Sequence, residues 1–392
     1  MPENIKRHLD ESVPSQLTLS EVKKRKILNE ANQRMDGRNF SSPRLFKPFA
    51  IGVAILGLSA FLSFPYIQDW SEESAFQPAL KEPNNEKIKK VTITGVEYPS
   101  LINATYIADT EEMIVTDHDG IYSYSVESET KRVIVEPKDN AEIFELAVNG
   151  EWLVWEDVST SKLYILNRIS NERKEFSNTL MTYDFQLDGD TLTYASIGDR
   201  DSFMGYKKLD LSSWKETEIH ELTGEGANSR SAIHDGLLVI PERIKVNDKS
   251  SVAFFLYDLK KQIQVGEYVV PYEVANNVTI TNNKIFAQLY NEGEASRLAY
   301  INLEDSQLHE VNVPAFDAYA VYEDFVALSL SRNDWNTVKL FQIEENSVVA
   351  LPTFNQIKER LVKPRFTENG TLVVNGEGEQ HSMYLQDVNH LE

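Results

Sequence analysis

Seven short polar turns recur along residues 88–392 and most constrain how this chain can fold. Each turn separates two strands in which apolar and polar residues alternate. A third strand with a pattern related to Leu-Tyr-x-Leu follows, and after it a further turn and a more polar fourth strand. The turns repeat every 39 to 47 residues, at 110–111, 149–150, 188–189, 235–236, 282–283, 323–324 and 369–370. Four-stranded units with this period are typical of a β-propeller. We therefore predict an all-β, seven-bladed β-propeller; a ring of six or eight blades and a pair of antiparallel sandwiches are the alternatives.

The seventh unit is one strand short. It ends soon after its third strand, Met383–Leu385, whereas a strand of suitable pattern lies ahead of the first unit at Lys90–Val96. A propeller whose last blade takes its outer strand from the start of the domain has no open gap in its ring. We expect Lys90–Val96 to supply that strand.

A run without charged residues, 48–68, divides the chain. Its length matches the roughly 20 residues that a helix needs to cross a bilayer. Tyr66 near its end and Trp70 just after it are placed as interfacial aromatic residues are. A buried globular helix or a cleaved signal peptide would be the alternatives, but residues 1–47 are far too long for the basic start of a signal peptide. We predict a cytoplasmic segment at 1–47, a transmembrane helix at 48–68, a stalk at 69–87 and the propeller at 88–392.

The charges beside the run predict its orientation. Residues 1–47 carry ten Lys and Arg against six Asp and Glu, whereas Asp69, Glu72 and Glu73 follow the run. Because the positive side stays in the cytoplasm, the N-terminus should lie inside the cell and the propeller outside it.

The cytoplasmic segment contains a capped amphipathic pattern. Thr18 and Glu21 form a capping box, and a helix from about Leu19 to Gln33 follows. This helix either docks a cytoplasmic protein or serves only as a basic topology signal. Its predicted partner-binding residues are Leu19, Val22, Ile27 and Ala31.

Composition and motifs exclude several functions. The net charge of −22 argues against a nucleic-acid partner, and the absence of cysteine removes Cys-type zinc sites and Cys nucleophiles. No metalloprotease, nucleophile-elbow or nucleotide-binding motif is complete. Asp117 and Asp119 begin like a calcium loop but lack its closing Glu, so they are either a polar turn or a weak cation contact. We predict no catalytic residues, no cofactor and no metal site.

The loops between the second and third strands of each unit form the candidate binding face of the propeller. They contain Trp and Arg, and exposed residues of these two types commonly anchor partners. The longest such loops are expected at 198–204 and 243–249. The predicted ligand-binding residues are Asp199, Arg200, Asp201, Phe203, Arg243, Lys245, Arg332, Asp334 and Trp335.

Through its turn and Leu-Tyr patterns, the region 88–392 resembles the WD40/TolB-like propellers, although the Gly-His and Trp-Asp pairs of WD40 blades are missing. The layout of short cytoplasmic helix, single span and outer domain is similar to that of bacterial membrane-anchored anti-sigma factors. These resemblances imply a regulatory membrane protein whose propeller binds an extracytoplasmic ligand or protein. An envelope enzyme or assembly factor that acts through the propeller face is the alternative.

Overall fold

The computed structural model describes residues 79–80, 88–95, 100–117, 120–136, 142–177, 181–197, 203–223, 229–332, 335–344, 347–378 and 380–391. All of them belong to the second of the two units into which the chain divides, Glu73–Glu392. Among these residues no helix is long and apolar enough to cross a membrane. The predicted cytoplasmic helix and the predicted span at 48–68 lie outside the described residues.

The described residues form 29 strands, of which two precede the first blade, β1 (Ala79–Leu80) and β2 (Lys89–Thr92). Blade 1 contains β3 (Ser100–Ile107), β4 (Glu112–Asp117), β5 (Gly120–Ser125) and β6 (Lys131–Val135). Blade 2 contains β7 (Ile143–Val148), β8 (Trp152–Asp157), β9 (Lys162–Asn167) and β10 (Arg173–Ser177). Blade 3 contains β11 (Met181–Asp188), β12 (Thr191–Ile197), β13 (Gly205–Asp210) and β14 (Lys215–Glu221).

The second half of the ring has four further blades. Blade 4 contains β15 (Ala232–His234), β16 (Leu237–Val246), β17 (Lys249–Asp258) and β18 (Ile263–Val270). Blade 5 contains β19 (Val274–Thr281), β20 (Lys284–Tyr290), β21 (Arg297–Asn302) and β22 (Leu308–Val311). Blade 6 contains β23 (Ala318–Tyr322), β24 (Phe325–Arg332), β25 (Trp335–Glu344) and β26 (Ser347–Leu351). Blade 7 contains β27 (Arg360–Phe366), β28 (Thr371–Glu377) and β29 (His381–Asp387).

The predicted repeat is confirmed. Each of the seven predicted turns lies between the first and second strands of a blade, and every blade is an antiparallel sheet whose own strands follow chain order. The first strands contact their neighbours from β3 through β7, β11, β15, β19 and β23 to β27, so they form the inner wall of the ring. The fold is therefore an all-β, seven-bladed propeller.

The predicted closure is confirmed as well. β2 pairs antiparallel with β29, with Val91 opposite Met383, and the Ile93 N–H donates to the His381 carbonyl at 2.8 Å. β2 is thus the outer strand of blade 7, although it ends at Thr92 and is shorter than expected. A second addition was not predicted: β1 pairs parallel with β26 and gives blade 6 a fifth strand.

Seven apolar clusters hold the ring together, one in each gap between neighbouring blades. Since each blade is covered on both faces, its second and third strands are buried almost without alternation. β8, for example, is buried at all six positions. Trp152 faces the cluster between blades 2 and 3, whereas Trp155 faces the cluster between blades 1 and 2. Side chains that alternate along one strand therefore stabilise two different interfaces.

Candidate functional site

The ring face where the second and third strands of each blade join is called here the hairpin face. The predicted loop at 243–249 is wrong: β16 and β17 stay paired up to Val246 and Lys249, leaving only Asn247 and Asp248 as a turn. Arg243 and Lys245 therefore lie on a protruding two-stranded hairpin. The strands that carry them pair without interruption. Because Asn247 and Asp248 both adopt the αL conformation, a two-residue turn is enough to connect these strands.

The other predicted ligand-binding residues are more scattered. Asp199, Arg200, Asp201 and Asp334 lie outside the described residues, and Phe203 is half-buried just before β13. Arg332 and Trp335 pair with each other at the ends of β24 and β25, so they too belong to a tight hairpin. Phe203, Arg243 and Arg332 come from three different blades, 3, 4 and 6. Asp117 is the last residue of β4, and Asp119 lies outside the described residues.

A polar pocket of about 610 Å³ opens on the hairpin face around blade 5. It lies between the start of the first strand and the end of the second, because Asn276 on β19 pairs with Gln288 on β20. The pocket is lined by Ser229, Arg230, Asn276, Asn277, Gln288, Tyr290, Glu294, Ser296 and Asp317. Blades 4, 5 and 6 thus all contribute to it.

Side-chain hydrogen bonds order the wall of this pocket. Gln288 Nε2 donates to Ser296 Oγ at 2.9 Å, and Asn276 Nδ2 donates to the Tyr290 hydroxyl at 3.2 Å. Asn277 Nδ2 lies 3.4 Å from Gln288 Oε1. An amide presents both donors and acceptors, so three amides in one wall can meet a ligand that carries both kinds of group.

Bulges in the inner strands aim these polar groups. The pairing of β19 with β20 shifts between Asn276 and Thr279, and Asn277 there has a φ of 52°. The pairing of β11 with β12 shifts between Tyr183 and Gln186 in the same way, with Asp184 at a φ of 61°. A bulge re-aims a side chain that would otherwise follow the strand alternation. Asn and Asp are the non-glycine residues that tolerate this conformation best.

A charged cluster lies beside the pocket, also on the inner strands. Arg230, which lines the pocket, donates through Nη2 to Glu145 Oε1 on β7, across the first strand of blade 3. Burial raises the pKa of Glu145, and Arg230 acts against that increase. The Asp184 carboxylate is fully buried and accepts from the Tyr206 hydroxyl at 3.0 Å and from the Ser231 N–H at 2.6 Å. These contacts fix Arg230 and the segment before β15 at the edge of the pocket.

The lining of the pocket is polar and carries charges of both signs. Within the described residues no group of three or more His, Asp or Glu side chains could hold a metal ion. The lining combines amides and hydroxyls with one guanidinium and two carboxylates, which suits a polar ligand such as a short peptide.

The ligand-binding residues predicted from the sequence do not include any that line this pocket. Asn276, Asn277 and Gln288 read as ordinary strand residues. Consecutive asparagines inside an apolar strand were the available signal, because Asn is depleted from strands and enriched at bulges with positive φ.

Solved structures with low sequence identity share this fold. A chain of the mitotic checkpoint complex is 12% identical with a TM-score of 0.53, over 79% of this chain and 96% of that one. The WD40 repeats of RRP9 are 14% identical with a TM-score of 0.51, over 79% and 99% of the two chains. One of two prolyl endopeptidases is 12% identical with a TM-score of 0.55, over 78% of this chain and 49% of that one. At these identities the likeness concerns the propeller fold alone.

Sequence comparison gives one short match. No model of a known protein family matches the chain. A protein of Alkaliphilus oremlandii (strain OhILAs), named provisionally as a regulatory protein, is 38% identical over 73 residues. The match covers 19% of this chain and 78% of that protein, which is therefore too short to contain seven blades.

Proposed function

We propose that this protein has a regulatory function that is based on ligand binding by the propeller. Over 73 residues the chain belongs to the same family as the Alkaliphilus regulatory protein. The polar pocket on the hairpin face carries this proposal. Its side-chain amides are held by hydrogen bonds before any ligand arrives, so little side-chain entropy is lost on binding. The ligand is a short peptide segment, free or within a protein, whose backbone amides pair with Asn276, Asn277 and Gln288.

The propeller acts outside the cell in this proposal. The uncharged run at 48–68 anchors the chain in the membrane, and the basic segment before it stays in the cytoplasm. The helix from Leu19 to Gln33 then contacts a cytoplasmic protein through its apolar side, as an anti-sigma factor contacts its sigma factor. The strongly acidic composition of the chain supports a protein or peptide ligand over a nucleic acid.

Arg230→Gln tests the pocket. A thermal-shift screen of the full-length chain with short peptides and oligosaccharides should yield stabilising peptides, and Arg230→Gln should weaken their binding by roughly tenfold, since it removes one charge-assisted hydrogen bond. Arg297→Gln is the matched control, because Arg297 on the neighbouring blade 5 is similarly exposed and is also ion-paired, with Glu310, but does not line the pocket. Peptides that stabilise both variants like the wild type, or hits confined to oligosaccharides, would contradict a peptide pocket.

Reporter fusions test the topology. Fusions of a phosphatase that is active only outside the cytoplasm should be inactive at residue 40 and active at residue 90, because the basic flank precedes the run. Fusions of a fluorescent protein that matures only in the cytoplasm should give the opposite pattern. Phosphatase activity at residue 40, or activity at neither position, would overturn the proposed orientation.

A further inference from the structure

A second groove, of about 380 Å³, lies on the opposite side of the ring from blade 5, between blades 1 and 2. The outer strand β6 forms one wall, and the turn that joins β9 to β10 forms the other. Three arginines line it, Arg132, Arg168 and Arg173, whereas the chain as a whole carries a net charge of −22. A local excess of guanidinium groups on an acidic protein points to an anionic ligand.

Arg168 is the fixed part of the groove. Its side chain is only 8% exposed, and its guanidinium donates to the Asn149 carbonyl at 2.8 Å and to Glu112 Oε2 at 2.5 Å. Its Nε is buried without a hydrogen-bond partner among the described residues. Glu112 also lies 3.8 Å from the mostly exposed Arg132. One carboxylate therefore faces two guanidinium groups here and cannot satisfy both fully.

Arg173 is held by aromatic rings instead of a carboxylate. Its guanidinium carbon lies 4.3 Å from the centre of the Tyr164 ring and 5.1 Å from that of Trp155. These two rings are themselves stacked at 5.1 Å. Stacking uses the flat face of the guanidinium and leaves its edge N–H groups in the plane where a carboxylate binds in a bidentate fashion.

The shape of the groove favours an extended segment over a small anion. Four consecutive residues of β6, from Arg132 to Val135, line it. β6 carries a bulge at Ile134, because its pairing shifts from Val133 opposite Tyr122 to Val135 opposite Ile121. The four consecutive lining residues therefore include side chains of both strand faces, which places the backbone edge of β6 along the groove. β6 is the outermost strand of blade 1, so this edge has no partner strand among the described residues. The pairing of β1 with β26 shows that an outer edge of this ring accepts an added strand.

We propose that this groove binds an extended acidic peptide segment of a protein partner. The segment adds to the free edge of β6 and places one carboxylate on the edge of Arg173 and another beside Arg132. Its intervening apolar side chains lie against Val133, which is 37% exposed, and Leu166. This site is separate from the pocket around blade 5, so the ring would engage two partners at once.

Fluorescence anisotropy tests the groove with the full-length chain in mild detergent. The probe is a short labelled peptide of alternating glutamate and valine, and its matched control contains glutamine in place of glutamate. We expect binding of the acidic peptide that weakens with salt and weakens roughly tenfold in Arg173→Gln. Arg360→Gln, which removes an exposed arginine on β27 that pairs with Glu377 on blade 7, should bind like the wild type.

Three results would overturn the proposal. Equal affinity for the glutamate and glutamine peptides would remove charge as the basis of recognition, and unchanged binding by both Arg173→Gln and Arg132→Gln would place the peptide elsewhere. Displacement of the peptide by an equal concentration of inorganic phosphate would make this a small-anion site. Arg132→Gln guards against a folding defect, because Arg132 is 70% exposed.

Discussion

Replacing both Val91 and Ile93 by Asp should open the ring and abolish a cooperative unfolding transition. Both side chains are only 5% exposed, and they belong to the cluster that joins blade 7 to blade 1. Burial of each contributes about 1.5–3 kcal/mol, and two carboxylates in their place add a desolvation cost. The sum approaches the roughly 5–15 kcal/mol that separates a folded domain from its unfolded state.

Thr92→Asp with Thr94→Asp is the matched control, because it adds the same charge to the same segment at a half-buried and an exposed position. Thermal unfolding followed by circular dichroism, together with the yield of monomer, measures both variants. The control should unfold cooperatively within a few degrees of the wild type. A cooperative transition in Val91→Asp/Ile93→Asp at the wild-type temperature would show that β2 does not close the ring.

This closure could be predicted from the sequence because the turns that mark the blades recur periodically. Seven turns at regular spacing define the blades, and a seventh unit with three strands requires a fourth from elsewhere. Local turn chemistry places the turns accurately: Asp235-Gly236 and Asn282-Asn283 adopt the positive φ values that tight two-residue turns need. The addition of β1 to β26 involves only Ala79 and Leu80, and two residues carry no periodicity to detect.

The candidate sites could not be predicted in the same way. Asn276 and Gln288 reach one pocket through a bulge, and bulges depend on the pairing of two strands rather than on the sequence of one. Arg132 and Arg173 come from different blades and meet only because the ring brings β6 beside β10. The prediction of a loop at 243–249 was wrong for a related reason. Near the end of a hairpin, long paired strands and long loops have similar polar sequences, so the sequence does not distinguish them.

Replacing Glu242 by Leu should lower the free energy of unfolding by about 3–5 kcal/mol, the usual cost of breaking a buried ion-paired network. Glu242 on β16 is fully buried, and its Oε2 lies 2.7 Å from His220 Nε2 on β14 of blade 3. Its Oε1 accepts from the Thr223 N–H. The other imidazole nitrogen lies 2.8 Å from the Tyr257 hydroxyl. Removing the carboxylate leaves a buried ring nitrogen of His220 and the partly buried N–H of Thr223 without their partner.

The pH dependence gives this network a specific signature. Burial acts to raise the pKa of Glu242, but the hydrogen bonds from His220 and Thr223 outweigh burial, and the pKa lies below its usual 4.5. The unfolded chain therefore binds the proton more readily than the folded one. The contribution of the ionised carboxylate is present above about pH 4.5 and is lost as the pH falls through the lower, folded pKa.

Urea unfolding of the wild type and Glu242→Gln across this pH range isolates the carboxylate, because glutamine keeps the shape and one acceptor but does not titrate. The wild type should be more stable at neutral pH, and its advantage should shrink as the pH falls below about 4.5. Glu221→Leu, an exposed neighbour of His220 on β14, should change the unfolding free energy by no more than about 0.5 kcal/mol and keep the wild-type slope. A constant difference between wild type and Glu242→Gln at every pH would mean that the pKa of Glu242 does not change on folding. An advantage that grows as the pH falls would mean that Glu242 is neutral in the folded protein and joins blades 3 and 4 through a neutral hydrogen-bond network.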